Sequence, residues 1–134
     1  MKWLYRNLYR KKKGFTLVEL MVVIIILAVL TAIAIPSYMA LRNRARVAAA
    51  QSEMKNIATA LELHSADEDA YPLTAVYPGA LEPDYMTEVP VNDPWDVAYV
   101  YASAGATYTL TSYGPDGAAA GGDDIVIIDG QLQE

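Results

Sequence analysis

A single carboxylate interrupts a run of apolar residues near the start of this chain. From Phe15 to Ile35 the sequence reads FTLVELMVVIIILAVLTAIAI, 21 residues in which only Thr16, Glu19 and Thr31 are not apolar. About 20 such residues span the hydrocarbon of a bilayer as a helix. In a chain of 134 residues this leaves material for one modest globular unit and no more. The positive-inside rule fixes the direction: Lys2, Arg6, Arg10, Lys11, Lys12 and Lys13 precede the run, so the N-terminus stays in the cytoplasm and the C-terminus faces outward. Glu19 then needs a reason. A carboxylate at the bilayer centre costs on the order of 3 kcal/mol, so it is kept for a function or is paired.

The rest of the composition narrows the function. All sixteen acidic residues lie after Gly14, where the only basic ones are Arg42, Arg44, Arg46 and Lys55, which argues against a nucleic-acid partner. The basic trio Arg42, Arg44 and Arg46, just past the apolar run, suits lipid headgroups or acidic neighbouring subunits equally well. There is no cysteine, so an exported domain of this size is steadied by packing, by neighbouring copies or by a bound ion. The single histidine, His64, lies three residues beyond Leu61 on an apolar stripe, and there is neither a nucleophile elbow nor a P-loop. The expectation is not an enzyme.

Gly14-Phe15-Thr16-Leu17-Val18-Glu19, behind a short basic leader, resembles the class III signal of type IV prepilins and pseudopilins. The resemblance implies that a prepilin peptidase cuts after Gly14, that Phe15 becomes an N-methylated N-terminus, and that Glu19 becomes the fifth residue. Cleavage would place an α-amine four residues from Glu19 in an apolar phase, where each charge needs a partner. In the family that partner is the amine of the adjacent subunit, so two costly groups pair on assembly. The expected divisions are a leader at 1–14, a transmembrane helix at 15–36 and an outward domain at 37–134. An ordinary signal peptide cut after Ala32-Ile33-Ala34 is the bland alternative, and it predicts a soluble calcium-binding module beginning at Ile35.

Pro36 lacks an amide donor, so it frees the carbonyl of Ala32 and is expected to kink or locally melt the helix. Beyond it, Val47, Ala50, Met54, Ile57 and Leu61 recur at spacings of three and four, an amphipathic helix running to about Ala66. Residues 73–96 read as a long structured loop. Val97–Ala102 and Thr107–Ser112 alternate and read as a hairpin, with Ile125–Ile128 as a third strand. The fold expected is α+β, a long N-terminal helix on a small antiparallel sheet. Tyr99 and Tyr101 share a strand face with Val97 and are read as packing groups.

Between the last two strands lies SYGPDGAAAGGDD, residues 112–124, which holds Asp116, Asp123 and Asp124. On spacing alone this is a solvated turn, and it does not match an EF-hand. Taken with Val89-Pro90, Asp93-Pro94-Trp95 and Tyr108-Thr109-Leu110, however, the series resembles the major pseudopilins of type II secretion. That resemblance implies a structural calcium site with Asp116, Asp123 and Asp124 as side-chain ligands and backbone carbonyls near Leu110 and Tyr113 as helpers. Asp96 departs from the family, which commonly has Gly after Pro-Trp, and the glycine-rich loop is shorter than usual. The function implied is a filament subunit, a helical homopolymer that helps export folded proteins. Its partners would be the membrane, minor pseudopilins, the prepilin peptidase and an inner-membrane assembly platform. It would reside in the bacterial inner membrane before assembly and in a periplasmic or extracellular filament afterwards. The alternative is a subunit of a surface type IV pilus.

Overall fold

The computed structural model describes residues 14–133; the basic leader of residues 1–13 lies outside the described residues. Its elements are α1 (Leu17–Glu68), β1 (Val100–Ser103), β2 (Tyr108–Ser112), a 3-10 turn at Gly114–Asp116, β3 (Ile125–Ile128) and β4 (Gln131–Gln133). The fold is α+β, as expected. The described residues form two compact units, divided between Ala40 and Leu41.

In the first unit, α1 is long and apolar enough to cross a membrane, and none of its most apolar window is buried. Two hydroxyls in and just past the apolar run return their protons to the helix: Thr31 Oγ1 donates to the Leu27 carbonyl at 2.7 Å and Ser37 Oγ to the Ile33 carbonyl at 3.2 Å. Neither leaves a free donor facing lipid, where an unmade hydrogen bond is costly. Pro36 lies inside α1, and the helix continues past it to Glu68 without melting.

In the second unit the apolar stripe of α1 finds a partner. Ala50, Met54, Ile57, Ala58, Ala60 and Leu61 are buried and form one core with Leu81, Val89, Tyr99, Tyr101, Tyr108, Leu110, Ile125 and Ile127. Each fully buried Met, Ile or Leu contributes about 1.5–3 kcal/mol. The sheet is antiparallel in the order β1-β2-β3-β4, with Tyr101 opposite Leu110 and Leu110 opposite Ile127. Side chains alternate along β2, so Tyr108, Leu110 and Ser112 point inward while Thr109 and Thr111 do not.

β1 starts later than its sequence pattern suggests, because Ala98 forms only an isolated bridge to Asn92. β4 was not expected at all. Asp129-Gly130 makes the turn into it, with φ of 46° and 78°, the paired positive values of a type I′ hairpin turn. That dipeptide is the strongest short-range hairpin signal, and it stood in the sequence directly after the third expected strand.

The segment before the sheet covers its first edge. Tyr99 N–H donates to the Val91 carbonyl at 2.9 Å, and Tyr71 N–H to the Gly105 carbonyl at 2.8 Å. Ser103 N–H donates to Thr74 Oγ1 at 2.8 Å, and that hydroxyl donates back to the Ser103 carbonyl at 3.1 Å.

Candidate functional site

Two places carry the expected site residues. At the head of α1, Gly14 and Phe15 precede the helix and both are exposed, Phe15 at 89%. The peptide bond between them is therefore outside regular structure. Glu19 is not a bare carboxylate. Thr16 N–H donates to Glu19 Oε2 at 2.8 Å, Thr16 Oγ1 donates to the same oxygen at 2.9 Å, and Glu19 N–H donates to Thr16 Oγ1 at 3.2 Å. This reciprocal arrangement is a capping box, and it satisfies backbone donors that a helix start leaves free. The positive end of the helix dipole also favours a carboxylate there. Thr16 was missed as a site residue, although the Thr-x-x-Glu spacing displays it.

The second place is the loop between β2 and β3. Gly114 (φ 66°) starts the 3-10 turn and Gly117 (φ 64°) ends it, its N–H closing on the Gly114 carbonyl at 3.3 Å. Asp116 N–H donates to Asp123 Oδ2 at 3.2 Å, so the two ends of the loop meet. Asp116 Oδ1 also accepts Ala118 N–H at 2.8 Å, and Asp124 Oδ2 accepts Ala120 N–H at 2.9 Å. A Cβ at Gly121 would fall on carboxylate oxygens of both Asp116 and Asp123, so these two side chains converge over a glycine that leaves them room. Asp124 Oδ1 is buried without a partner.

Two converging carboxylates and one orphaned carboxylate oxygen fit a hard, oxygen-seeking cation. Among the described residues, though, no group of three or more His, Cys, Asp or Glu is gathered as a metal cluster. The loop supplies a pair, and any further ligands would be carbonyls or water. Leu110 fills the core from the middle of β2, while Tyr113 stands at the start of the 3-10 turn.

Beneath the loop is a support that the sequence reading overlooked. Asp93 is only 5% exposed. Its Oδ1 accepts Trp95 N–H at 2.9 Å and Val97 N–H at 3.0 Å, and its Oδ2 accepts Ser112 Oγ at 2.6 Å. Ser112 Oγ in turn accepts Gly114 N–H at 3.2 Å. The Asp-Pro-Trp and Ser-Tyr-Gly motifs are thus one hydrogen-bonded chain that holds the entrance of the acidic loop. Asp96, the departure noted above, has φ of 68° and accepts Asn92 Nδ2 at 3.0 Å. A left-handed position explains why glycine suits it, and Asp tolerates it through such a local bond.

Tyr99 and Tyr101 are packing groups, as expected, with their hydroxyls committed to Glu53 (2.8 Å) and to the Pro72 carbonyl (2.7 Å). Burial, reinforced by Glu53, pushes the Tyr99 phenol far up. His64 Nδ1 lies 3.0 Å from the Ala70 carbonyl just past the end of α1, a structural contact.

Comparison with known proteins agrees with these features. The family model described as the prokaryotic N-terminal methylation motif matches residues 9–35, and that for type II secretion system protein G matches residues 37–130. The chain is 35% identical to the type II secretion system core protein G of Pseudomonas aeruginosa, over 86% of this chain and 92% of that protein. It is 35% identical to the same protein of Dickeya chrysanthemi (87% and 86%) and 34% identical to that of Escherichia coli K12 (86% and 90%). No solved structure matches the chain. With both halves of the pattern present, a methylation motif on an exposed apolar helix and the protein G domain behind it, the chain belongs to the type II secretion system protein G family of pseudopilins.

Proposed function

We propose that Glu19 is the assembly register of this pseudopilin and that its own Thr16 holds one carboxylate oxygen while the other is left for a neighbour. The observation that carries the reading is the capping box at the head of a helix whose most apolar window has no buried residue. Cleavage after Gly14 by a prepilin peptidase, followed by methylation, would leave a charged amine on Phe15. Both Thr16 donors lie on Glu19 Oε2, which leaves Oε1 able to receive that amine from an adjacent copy. A capped carboxylate is tolerable in the membrane-inserted subunit, and a paired one is better in the polymer, so assembly is favoured without a new covalent bond. The role is structural, and the filament would grow from an inner-membrane platform together with minor pseudopilins to help move folded proteins outward.

The acidic loop is read as the stabilising site of the outward domain. Asp116 and Asp123, with Asp124 beside them, would hold calcium, which would supply positive charge to offset their mutual repulsion. The match over residues 37–130 favours the secretion filament over a surface pilus.

The test is Glu19→Ala in cells that assemble the filament. The variant is expected to reach the membrane and be cut at Gly14, with filament yield reduced at least tenfold if the register is worth about 1.4 kcal/mol. Normal yield would remove the role assigned to Glu19, and a mature N-terminus at Ile35 would remove the membrane-anchored reading altogether.

A further inference from the structure

The chain holds two Asp-Gly dipeptides, Asp116-Gly117 and Asp129-Gly130. In such a pair the second residue has no Cβ, so its backbone nitrogen can approach the aspartate Cγ without hindrance. The structure treats the two pairs very differently.

The Asp129-Gly130 pair is held by three hydrogen bonds to one buried residue. Its Oδ1 accepts Tyr108 N–H at 2.8 Å, its own N–H donates to the Tyr108 carbonyl at 3.3 Å, and Gly130 N–H donates to the Tyr108 hydroxyl at 2.9 Å. Tyr108 is 1% exposed, so the clamp is as rigid as the core. Before Gly130 nitrogen could reach the Asp129 carboxyl, it would have to release the phenol while Asp129 released the Tyr108 amide. Asp116 and Gly117 are both exposed. Gly117 N–H reaches only the Gly114 carbonyl, at 3.3 Å, and the bonds made by Asp116 run to Ala118 and Asp123 within the same loop. None of these ties the pair to the core, and local openings of such loops cost little.

We propose that Asp116 is a site of spontaneous backbone modification that ages to isoaspartate, while Tyr108 keeps Asp129 unreactive. Gly117 nitrogen attacks Asp116 Cγ, the carboxyl hydroxyl leaves as water, and a five-membered succinimide forms. Water then breaks the bond between that nitrogen and the Asp116 main-chain carbonyl carbon. The main chain now runs through the former side chain and the main-chain carbonyl has become a free carboxylate. One water leaves, one enters, and no redox step is involved. The main chain gains a methylene at residue 116, and its carboxylate is displaced from the position it shares with Asp123 over Gly121. The oldest subunits of a long-lived filament would therefore carry a worn acidic loop on an intact core. The inference does not depend on calcium.

The test uses the full chain in detergent with EDTA, aged at physiological temperature. Isoaspartate is read by methyltransferase labelling and peptide mapping. Label is expected on the Asp116 peptide several-fold faster than on the Asp129 peptide, and Asp116→Glu should abolish it there. In urea the two sites should age at similar rates, because the Tyr108 clamp is gone. Tyr108→Phe should raise labelling at Asp129, with a thermal melt confirming that the variant is folded. Equal labelling of the two sites in the folded chain would overturn the proposal. So would absence of label at Asp116 over a period in which the urea-unfolded chain labels at both sites.

Discussion

The two ends of α1 share one backbone geometry and opposite surroundings. Up to Ala40 the helix shows Leu27, Leu30 and Ile33 more than half exposed; after Leu41 it buries Met54, Ile57 and Leu61 completely. The first stretch is apolar around its axis and finds no partner among the described residues, which leaves its surface to lipid or other copies. The second is apolar on one stripe, and its own sheet covers that stripe. The local rules that make a helix are blind to this difference. What separates an anchor from a scaffold is whether the apolar surface is continuous around the axis.

That contrast can be broken most sharply in the core. Leu110→Ala should lower the stability of the outward unit by about 2–5 kcal/mol, read from the thermal loss of its near-UV tyrosine signal. Leu27→Ala should leave the same transition unmoved, and an equal loss there would end the distinction. Next comes the support under the acidic loop. Ser112→Ala strips a buried charged hydrogen bond from Asp93 and should cost about 1.5–3 kcal/mol in the same assay. Thr16→Ala removes the helix cap and should cost about 0.5–2 kcal/mol. That loss should be confined to faster amide exchange around residues 16–20, with no change in the melt of the outward unit.

The smallest effect is expected at Tyr77, whose hydroxyl is buried without a partner. Tyr77→Phe should be nearly neutral at pH 7, because no bond is lost. At high pH it becomes visible. Burial, with smaller contributions from Tyr101 and Glu82, raises the Tyr77 phenol from its ordinary 10.0 to about 12. The folded state holds that proton more tightly than the unfolded chain, so the contribution is complete below pH 10 and lost as pH climbs through about 12. The phenylalanine variant should unfold less readily across that window in an alkaline titration.

Features set by neighbouring residues were legible in the sequence. The apolar span, the buried stripe of α1 and the third strand, Ile125–Ile128, stand where their periodicities put them. Asp129-Gly130 was equally local, and β4 was missed because Gln-Leu-Gln is too short to show a pattern. The acidic loop was legible as a composition and the resemblance put Asp116 and Asp123 in one site, yet their convergence over Gly121 was not readable. The support from Asp93 to Ser112 spans 19 residues and the Tyr99 bond to Glu53 spans 46, distances at which no local rule brings side chains together. Asp93 stood in the sequence only as part of the Asp-Pro-Trp motif, and its burial beside Ser112 appears only in the fold.

The seal along β1 bears on how copies can be stacked at high density. An open strand flank invites its twin from another molecule, and a chain concentrated into a fibre would meet that hazard constantly. Here Thr74 occupies the hydrogen-bonding positions of Ser103 in β1, Val91 and Tyr71 pair with Tyr99 and Gly105 just before and after the strand, and the opposite flank is a three-residue strand. Runaway sheet growth is thereby discouraged, so packing between copies falls to surfaces other than the sheet flanks, such as the uncovered apolar turns of α1.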